Sequence, residues 1–151
     1  MSVASAQTLQ RLKPLEPFVE RSTFEGMTFG LSSAGYDVRI AESFSLGPGS
    51  FKLASTQEKF FMPKNLIGIV HDKSTWARRG LAVQNTVIEP NWSGYLTLEL
   101  TNHHNSDILT FKSGMPIAQI IFHLLDEDTS LPYDGKYQNQ EAGPQAARLK
   151  G

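Results

Sequence analysis

The sequence contains no cysteine and only four histidines in 151 residues. Without cysteine, the chain has no disulfide framework and no thiolate ligands for a metal ion. The histidines show no metal-ligand spacing, and each is interpreted as a structural or exposed residue: His71, His103, His104 and His123. We therefore expect no zinc site in this chain.

Long apolar runs and a strong net charge are also absent. No apolar run approaches the ~20 residues that span a bilayer. The N-terminal stretch MSVASAQTLQRLKP lacks the apolar core of a signal peptide. The net charge is −1, so no overall field attracts nucleic acid or a membrane surface. We expect a cytoplasmic protein without nucleic-acid or membrane partners, in which any anion site is a local basic cluster.

Turn-forming residues are plentiful instead. Twelve glycines and eight prolines separate short apolar runs, which predicts many short strands and a mainly β fold of the barrel or jelly-roll type. The length and the 40% share of hydrophobic residues fit a single domain over 1–151. The polar, Gly- and Pro-containing end of the chain, 131–151, is predicted to be a mobile tail.

Local signals predict several elements. A short helix is expected over 5–12, with Ser5 as its N-cap and Pro14 beyond its end. Residues 45–56 indicate a turn followed by a strand, and 58–62 a separate strand. The apolar run 66–70 indicates a buried strand that leads directly into a polar loop, a typical arrangement for presenting functional groups.

That loop opens the stretch 71–102, HDKSTWARRGLAVQNTVIEPNWSGYLTLELTN, which concentrates the polar residues of interest. It begins with a dense polar cluster: Lys73, Ser74, Thr75, Arg78 and Arg79. A turn over 89–94 follows, and then a strand over 95–101 in which leucines alternate with threonines and Glu99. Period-2 alternation places the leucines on one face and Glu99 between two threonines on the other.

Two interpretations of Glu99 are open from the pattern alone. A carboxylate on the polar face of a half-buried strand is usually solvated and has no further role. A carboxylate held on a rigid strand is also well placed to act as a general base.

Three other segments of the chain carry further polar residues of interest. The segment LSSAGYDVRI contains Asp37 and Arg39, and GMPIAQIIF contains Gln119, which faces either a site or unpaired backbone groups. The tail carries Tyr133, Lys136, Tyr137 and Gln140 in the pattern Y…KYxxQ.

Together with STWARRGL and IEPNWSGYLTLELTN, these segments resemble the motifs of the dCTP deaminases, within the trimeric dUTPase superfamily. The resemblance covers nearly the whole chain. It implies a dUTPase-like distorted β-barrel with a short N-terminal helix, and a tail that closes over the active site. The KYxxQ tail and the LTLE strand resemble the deaminase branch, whereas ordinary dUTPases end in a glycine-rich GFGSTG tail.

The resemblance also implies an activity and a site. The expected reaction is the zinc-independent hydrolytic deamination of dCTP to dUTP and ammonia, with Glu99 as the general base, Arg78 polarising the site and Ser74 orienting the water. It implies a set of substrate-binding residues: Lys73, Ser74, Thr75, Arg78, Glu89, Trp92, Gln119, Tyr133, Lys136, Tyr137 and Gln140. Asp37 and Arg39 are expected to be structural, and a buried Asp–Arg pair would be costly to break.

The resemblance implies cofactors and partners as well. Mg²⁺ is expected to be held mainly by the substrate phosphates. The zinc deaminases need a His and Cys ligand set that this chain lacks. The substrate partner is dCTP, with dUTP or dTTP as further nucleotides, and the assembly is a homotrimer with active sites at subunit interfaces.

Two alternatives to a plain deaminase are open. Glu89 stands where dUTPases carry the aspartate that activates water, which keeps a dUTPase or a bifunctional, dUMP-forming enzyme in consideration. Glu89 is one methylene longer than that aspartate. Lys73 stands at the phosphate-loop position where the resemblance leads us to expect an arginine. The link between Leu81 and Glu89 is also shorter than in the larger deaminases. The other alternative is a non-catalytic, nucleotide-binding regulatory protein.

Overall fold

Residues 2–150, which the computed structural model describes, form two short helices and thirteen strands. The helices are α1 (Ala6–Leu12) and α2 (Ser74–Ala77). The strands up to the middle of the chain are β1 (Ser2–Val3), β2 (Leu15–Glu16), β3 (Ser22–Phe24), β4 (Met27–Ser32), β5 (Gly35–Arg39), β6 (Phe44–Leu46) and β7 (Phe51–Phe61). The remaining strands are β8 (Leu66–Asp72), β9 (Leu81–Val83), β10 (Val87–Ile88), β11 (Ser93–Asn102), β12 (Leu109–Phe111) and β13 (Pro116–Leu124).

The N-terminal helix forms where the sequence predicts it. The Ser5 side chain accepts a hydrogen bond from the Thr8 N–H at 3.4 Å, which satisfies one of the free donors of the first turn. At the other end Lys13 adopts the left-handed conformation, with φ of 44°, and its N–H donates to the Leu9 carbonyl. Leu9 is fully buried and fixes the helix on the core.

The strands form antiparallel sheets that share one core. The largest has the order β10-β8-β13-β5-β4-β3, with β1 also paired to β13. A four-stranded sheet has the order β2-β7-β11-β9, and β12 pairs with β6. This curled, mainly β architecture with one N-terminal helix confirms the fold class predicted from the sequence. No helix among residues 2–150 is both long enough and apolar enough to cross a membrane.

One sequence-based prediction about the strands is wrong. The chain does not break near Gln57, because β7 is a single strand of 11 residues that pairs with β11 along its length. The ladder shifts register between Tyr95 and Thr97. At this bulge the Thr56 hydroxyl donates to the Glu58 carbonyl at 2.8 Å and accepts from the Leu96 N–H at 3.1 Å. These side-chain bonds replace the interrupted backbone pairing, so the strand continues through it.

The polar residues of β5 are structural, as expected, but they do not pair with each other. Asp37 and Arg39 project from the same face of one strand, and each binds a different element. The Arg39 Nε donates to the buried Glu58 carboxylate at 2.8 Å, and the Lys73 Nζ donates to Asp37 at 2.8 Å. Burial raises the pKa of both carboxyls, against the opposing effect of their cationic partners. The predicted Asp–Arg pair is therefore replaced by two ion pairs that join β5 to β7 and to the polar loop.

Candidate active site

Strand β11 has two different faces. Leu98 and Leu100 are fully buried, and the residues that alternate with the buried ones along the strand are half-buried. The strand is paired on one side with β7 and on the other with β9, so its backbone is fixed at the centre of its sheet. The alternation predicted from the sequence therefore holds, and it directs the Glu99 side chain away from the core.

Glu99 does not lie on a solvated face. Its Oε2 atom is buried and has no hydrogen-bond partner within residues 2–150. Burial raises the pKa of the Glu99 carboxyl above its ordinary value. An unpaired buried oxygen is rare because it costs stability, and such groups cluster at functional sites.

Glu99 opens into a cavity of about 470 Å³. That volume falls in the range of about 300–1,000 Å³ that is typical of small-molecule sites. Much of the wall is apolar and comes from Phe51, Leu53, Val87, Ile88 and Leu96. Polar groups enter it at a few places, which are Glu89 from the turn before β11, Glu99, and glutamines of the C-terminal tail. An apolar cavity with few polar groups is the usual form of a small-molecule site.

The C-terminal tail forms one side of this cavity. The Trp92 indole donates to the Tyr137 carbonyl at 2.6 Å, and the Asn139 N–H donates to the Ser93 carbonyl at 2.9 Å. Gln140 then pairs with Gly94 in a parallel bridge, and the Tyr95 N–H donates to the Gln140 carbonyl at 3.0 Å. The tail thus lies along the first half of β11, the strand that carries Glu99.

Individual tail side chains have distinct roles in this packing. Gln140 is buried, and its amide donates to the Tyr95 carbonyl at 2.8 Å and to the Thr97 Oγ1 at 3.2 Å. The Tyr133 hydroxyl accepts from the Tyr137 N–H at 3.1 Å. Lys136 is exposed, with its Nζ 5.5 Å from the centre of the Tyr137 ring. Both tyrosines line the cavity, and the Lys136 ammonium lies against one of them, Tyr137.

The polar cluster before β9 does not belong to the lining of this cavity. Trp76 anchors it, because its indole donates to the Pro116 carbonyl at 2.8 Å and its ring packs 4.5 Å from that of Phe111. Around this anchor Ser74, Thr75 and Arg78 are exposed. Lys73 is buried, and its ammonium is engaged by Asp37. A short turn fixed by a buried tryptophan thus presents hydroxyl and guanidinium donors to solvent.

The structure brings together only part of the predicted site. The cavity lining joins Glu99 with five other predicted residues, which are Glu89, Trp92, Tyr133, Tyr137 and Gln140. Among the described residues, that lining does not include Lys73, Ser74, Thr75 or Arg78. Gln119 also lies elsewhere, on β13 opposite His71, and its amide donates to Ser32 at 3.4 Å.

Besides the wall residues from the strands and from Thr86, two cavity residues of the tail were not predicted from the sequence. Gln145 and Ala147 line the cavity, and they follow the last motif residue of the tail. Nothing in their local composition distinguishes them from a frayed terminus. The signal that finds Gln145 is structural: its N–H donates to the Thr97 hydroxyl at 3.0 Å.

Acidic residues and histidines do not assemble into a metal centre in this protomer. Across residues 2–150 no three His, Asp or Glu side chains lie close enough together to hold a metal ion. The polar side-chain groups of the cavity lining include two carboxylates, glutamine amides and tyrosine hydroxyls.

Comparison with known proteins shows the family of the chain. A family model described as dCTP deaminase-like matches residues 31–125. A dCTP deaminase of Pseudomonas savastanoi pv. phaseolicola is 34% identical over 181 aligned positions, covering 93% of this chain and 96% of that protein. A dCTP deaminase of Coxiella burnetii is 34% identical and covers 90% of each chain. The first alignment is longer than this chain of 151 residues, so it includes insertions in the relative.

Two solved structures with the same fold are dUTPases. The native EIAV dUTPase aligns with a TM-score of 0.57 and 25% identity, covering 70% of this chain and 87% of that one. A variant dUTPase from phage phi11 of S. aureus, which coordinates a structural Mg(II) ion, aligns with a TM-score of 0.59 and 15% identity. That alignment covers 76% of this chain and 92% of the phage protein. At 15% identity the phage protein supports the fold alone.

Proposed function

The chain belongs to the dCTP deaminase-like family, and from this premise we propose that it is a hydrolase that converts dCTP to dUTP and ammonia. One observation carries the proposal. Glu99 is the one residue of the described chain with a buried, unpartnered side-chain oxygen, and it opens into the cavity. A carboxylate whose pKa is raised by burial can take up and return protons nearer neutral pH than an ordinary glutamate.

The reaction sets the work that Glu99 must do. Water adds to C4 of the cytosine ring, and the amino group leaves from the same carbon. The base removes one proton from the attacking water and delivers it to N3, then removes the second from the new hydroxyl on C4 and delivers it to the departing nitrogen. One carboxyl can carry these protons in turn, because each transfer returns it to the state needed for the next. The apolar walls around it limit competition from bulk water.

The exposed cluster supplies the remaining predicted roles. We propose that Arg78 polarises the site and that Ser74 orients the water or contacts the phosphates. Since neither lines the cavity of its own protomer, we propose that they complete the cavity of a neighbouring subunit in a homotrimer. Each active site would then combine Glu99 of one chain with Ser74 and Arg78 of the next.

The triphosphate needs donors and positive charge. We propose that Thr75, Lys136, Tyr133 and Gln140 bind it with the cluster residues. Lys73 would take part through the ammonium protons that Asp37 does not occupy, since a lysine ammonium has three donors. Trp92 and Tyr137 would contact the nucleoside from the cavity wall. Gln119 would contact the substrate from β13.

Magnesium would enter with the nucleotide. The described residues do not provide a set of ligands that could hold the ion alone. Mg²⁺ bound to a nucleotide takes its ligands chiefly from phosphates and water. It would supply charge neutralisation at the triphosphate, and none of the deamination steps above depends on it.

One observation favours a second candidate activity, the hydrolysis of dUTP to dUMP. Glu89 lines the same cavity as Glu99, so two carboxylates face one substrate site. If Glu89 activated a second water against the phosphate chain, the enzyme would release dUMP and pyrophosphate. We propose that dUTP is the main product, because the additional methylene moves the carboxylate from the position an aspartate would hold. Misplacing a catalytic group by about 1 Å can cost on the order of 100-fold.

Product analysis tests both assignments. The protein is incubated separately with dCTP and with dUTP in the presence of Mg²⁺, and ammonia, nucleotide products and pyrophosphate are quantified. We expect ammonia and dUTP in equal amounts from dCTP, and no reaction of dUTP. Pyrophosphate in step with ammonia would establish the bifunctional alternative. Nucleotide binding without any product would establish the regulatory one.

A further inference from the structure

Thr97 occupies a special position between the tail and the proposed base. It lies on the same face of β11 as Glu99. Its hydroxyl oxygen accepts two hydrogen bonds from the tail, one from the Gln140 side-chain amide at 3.2 Å and one from the Gln145 backbone N–H at 3.0 Å. A threonine hydroxyl has two acceptor positions, so both are used by the tail.

The Glu99 face of β11 is bordered by the tail. The neighbouring strands β7 and β9 pair with the edges of β11 and leave its Glu99 face open. Gln140 and Gln145 line the cavity on that face. The strand therefore places Glu99, while the tail segment 140–145 contributes Gln140 and Gln145 to the wall of its cavity. Thr97 is the side chain of β11 that receives both tail donors.

We propose that Thr97 is a positioning residue that seats the tail segment 140–145 over Glu99 before the nucleotide binds, so that tail docking excludes water from the base. The proposal rests on the proposed function in taking Glu99 as the base. It goes beyond that function by assigning Thr97 and the Gln145 backbone to the control of the base, although neither belongs to the predicted site.

Desolvation links this geometry to the proton affinity of Glu99. Burial is the main cause of the raised Glu99 pKa, so loss of the tail cover lowers that pKa toward the ordinary value. The other titratable groups that line the cavity are Glu89, Tyr133 and Tyr137. The residues that line it from β7 and β10, Phe51, Leu53, Val87 and Ile88, carry no charge.

Three variants separate this role from a general effect on the strand. Thr97→Val removes the hydroxyl with little change of shape, whereas Thr97→Ser keeps it and should rescue the wild-type behaviour. Thr101→Val is the matched control, because Thr101 lies on the same face of β11 and makes no side-chain hydrogen bond to described residues. Thermal unfolding first establishes that each variant is folded.

The first measurement does not depend on activity. Amide hydrogen exchange of the nucleotide-free protein reports whether the tail is docked. We expect the Gln145 amide to exchange roughly tenfold faster in Thr97→Val, in proportion to the lost hydrogen bonds. Thr97→Ser and Thr101→Val should match the wild type. An unchanged Gln145 amide in a folded Thr97→Val would overturn the proposal, whether or not the protein deaminates dCTP.

The second measurement is the pH dependence of kcat/KM for dCTP, which reports groups of the free enzyme. A base must be ionised, so activity rises with pH through its pKa. In Thr97→Val we expect this acidic limb to move to lower pH and KM to rise, with a smaller change in kcat because bound nucleotide helps to hold the tail. A limb that stays in place while the tail is released would show that the tail does not control Glu99.

Discussion

At the scale of single residues, the buried Glu99 carboxyl carries a cost in stability that its proposed role as a base would explain. Its Oε2 has no partner in the described chain, and burial disfavours the ionised form. A carboxyl buried only for packing would be better replaced by an amide or an apolar group. Retaining the acid is therefore consistent with use of its proton, since functional groups are commonly kept against stability.

Replacement of Glu99 by glutamine tests this use. Glu99→Gln keeps the size of the side chain and leaves Leu98 and Leu100 buried, so the domain should remain folded and bind nucleotide. Turnover of dCTP should fall by about 10²–10⁴-fold, the usual contribution of an acid–base group. Turnover is measured beside nucleotide affinity, with the exposed Glu42→Gln as a matched control. Near-wild-type turnover would remove Glu99 as the base.

The same variant carries a signature in stability against pH. Because the Glu99 pKa is raised in the folded state, the folded protein binds the proton more tightly than the unfolded chain, whose carboxyl keeps its ordinary pKa near 4.5. Stability from this group is present below the unfolded pKa and is lost as pH rises through the folded pKa. We expect Glu99→Gln to raise Tm relative to wild type at pH 8 and to lose that advantage at pH 4. Equal Tm differences at both pH values would contradict the burial of the charge.

How far the sequence predicts the site can be judged from Glu99 itself. Period-2 alternation predicts its direction correctly, because the strand geometry leaves only two faces. The loss of solvent from its oxygen is not predictable in the same way. Its cavity is lined in part by Gln140 and Gln145, which lie far along the chain and reach β11 only through tertiary contacts.

At the scale of elements, the backbones of the tail and β11 approach each other at Gly94. Its φ is +147°, and a Cβ built there would lie 2.7 Å from the Gln140 backbone nitrogen. Backbone atoms cannot move aside as a side-chain end can. The glycine thus permits the parallel bridge between Gly94 and Gln140 that begins the enclosure of the cavity.

Substitution of this glycine should detach the tail. In Gly94→Ala we expect faster tryptic cleavage after Lys136 and weaker binding of dCTP, while the core of the domain stays folded. Gly26→Ala is the matched control, because Gly26 also has positive φ, of +83°, but nothing lies within 4 Å of its added Cβ. Both variants carry backbone strain, and only the first meets the tail. Equal cleavage rates in the two variants would show that contact at Gly94 does not hold the tail.

Elements also show where local prediction succeeds and where it fails. The helix α1 was predicted correctly because its signals, the Ser5 cap and the nearby Pro14, are local. The division of β7 into two strands was wrong, because its continuity depends on Thr56 contacting Leu96 on another strand. Local composition cannot report a bulge that a distant partner stabilises.

At the scale of the whole molecule, the protomer carries two separate halves of the proposed site. One half is the cavity with Glu99 and the tail, and the other is the exposed turn with Ser74 and Arg78. Motifs identify both halves from the sequence. Which halves meet is a property of the assembly, since a closed symmetric oligomer can bring one surface of a chain against a different surface of its neighbour.

Mixing two inactive variants tests this arrangement. In the proposed homotrimer, Glu99→Gln and Arg78→Ala should each be inactive alone, since every site lacks one group. If a site takes Glu99 from one chain and Arg78 from the next, random trimers of the two variants at equal amounts should contain about a quarter of intact sites, a consequence of heterologous contacts. Activity should therefore reappear after the two proteins are unfolded and refolded together. Refolding each variant alone is the control. If both groups came from one chain, no mixed trimer would hold an intact site, so an inactive mixture of properly assembled trimers would place Arg78 and Glu99 in the same protomer's site.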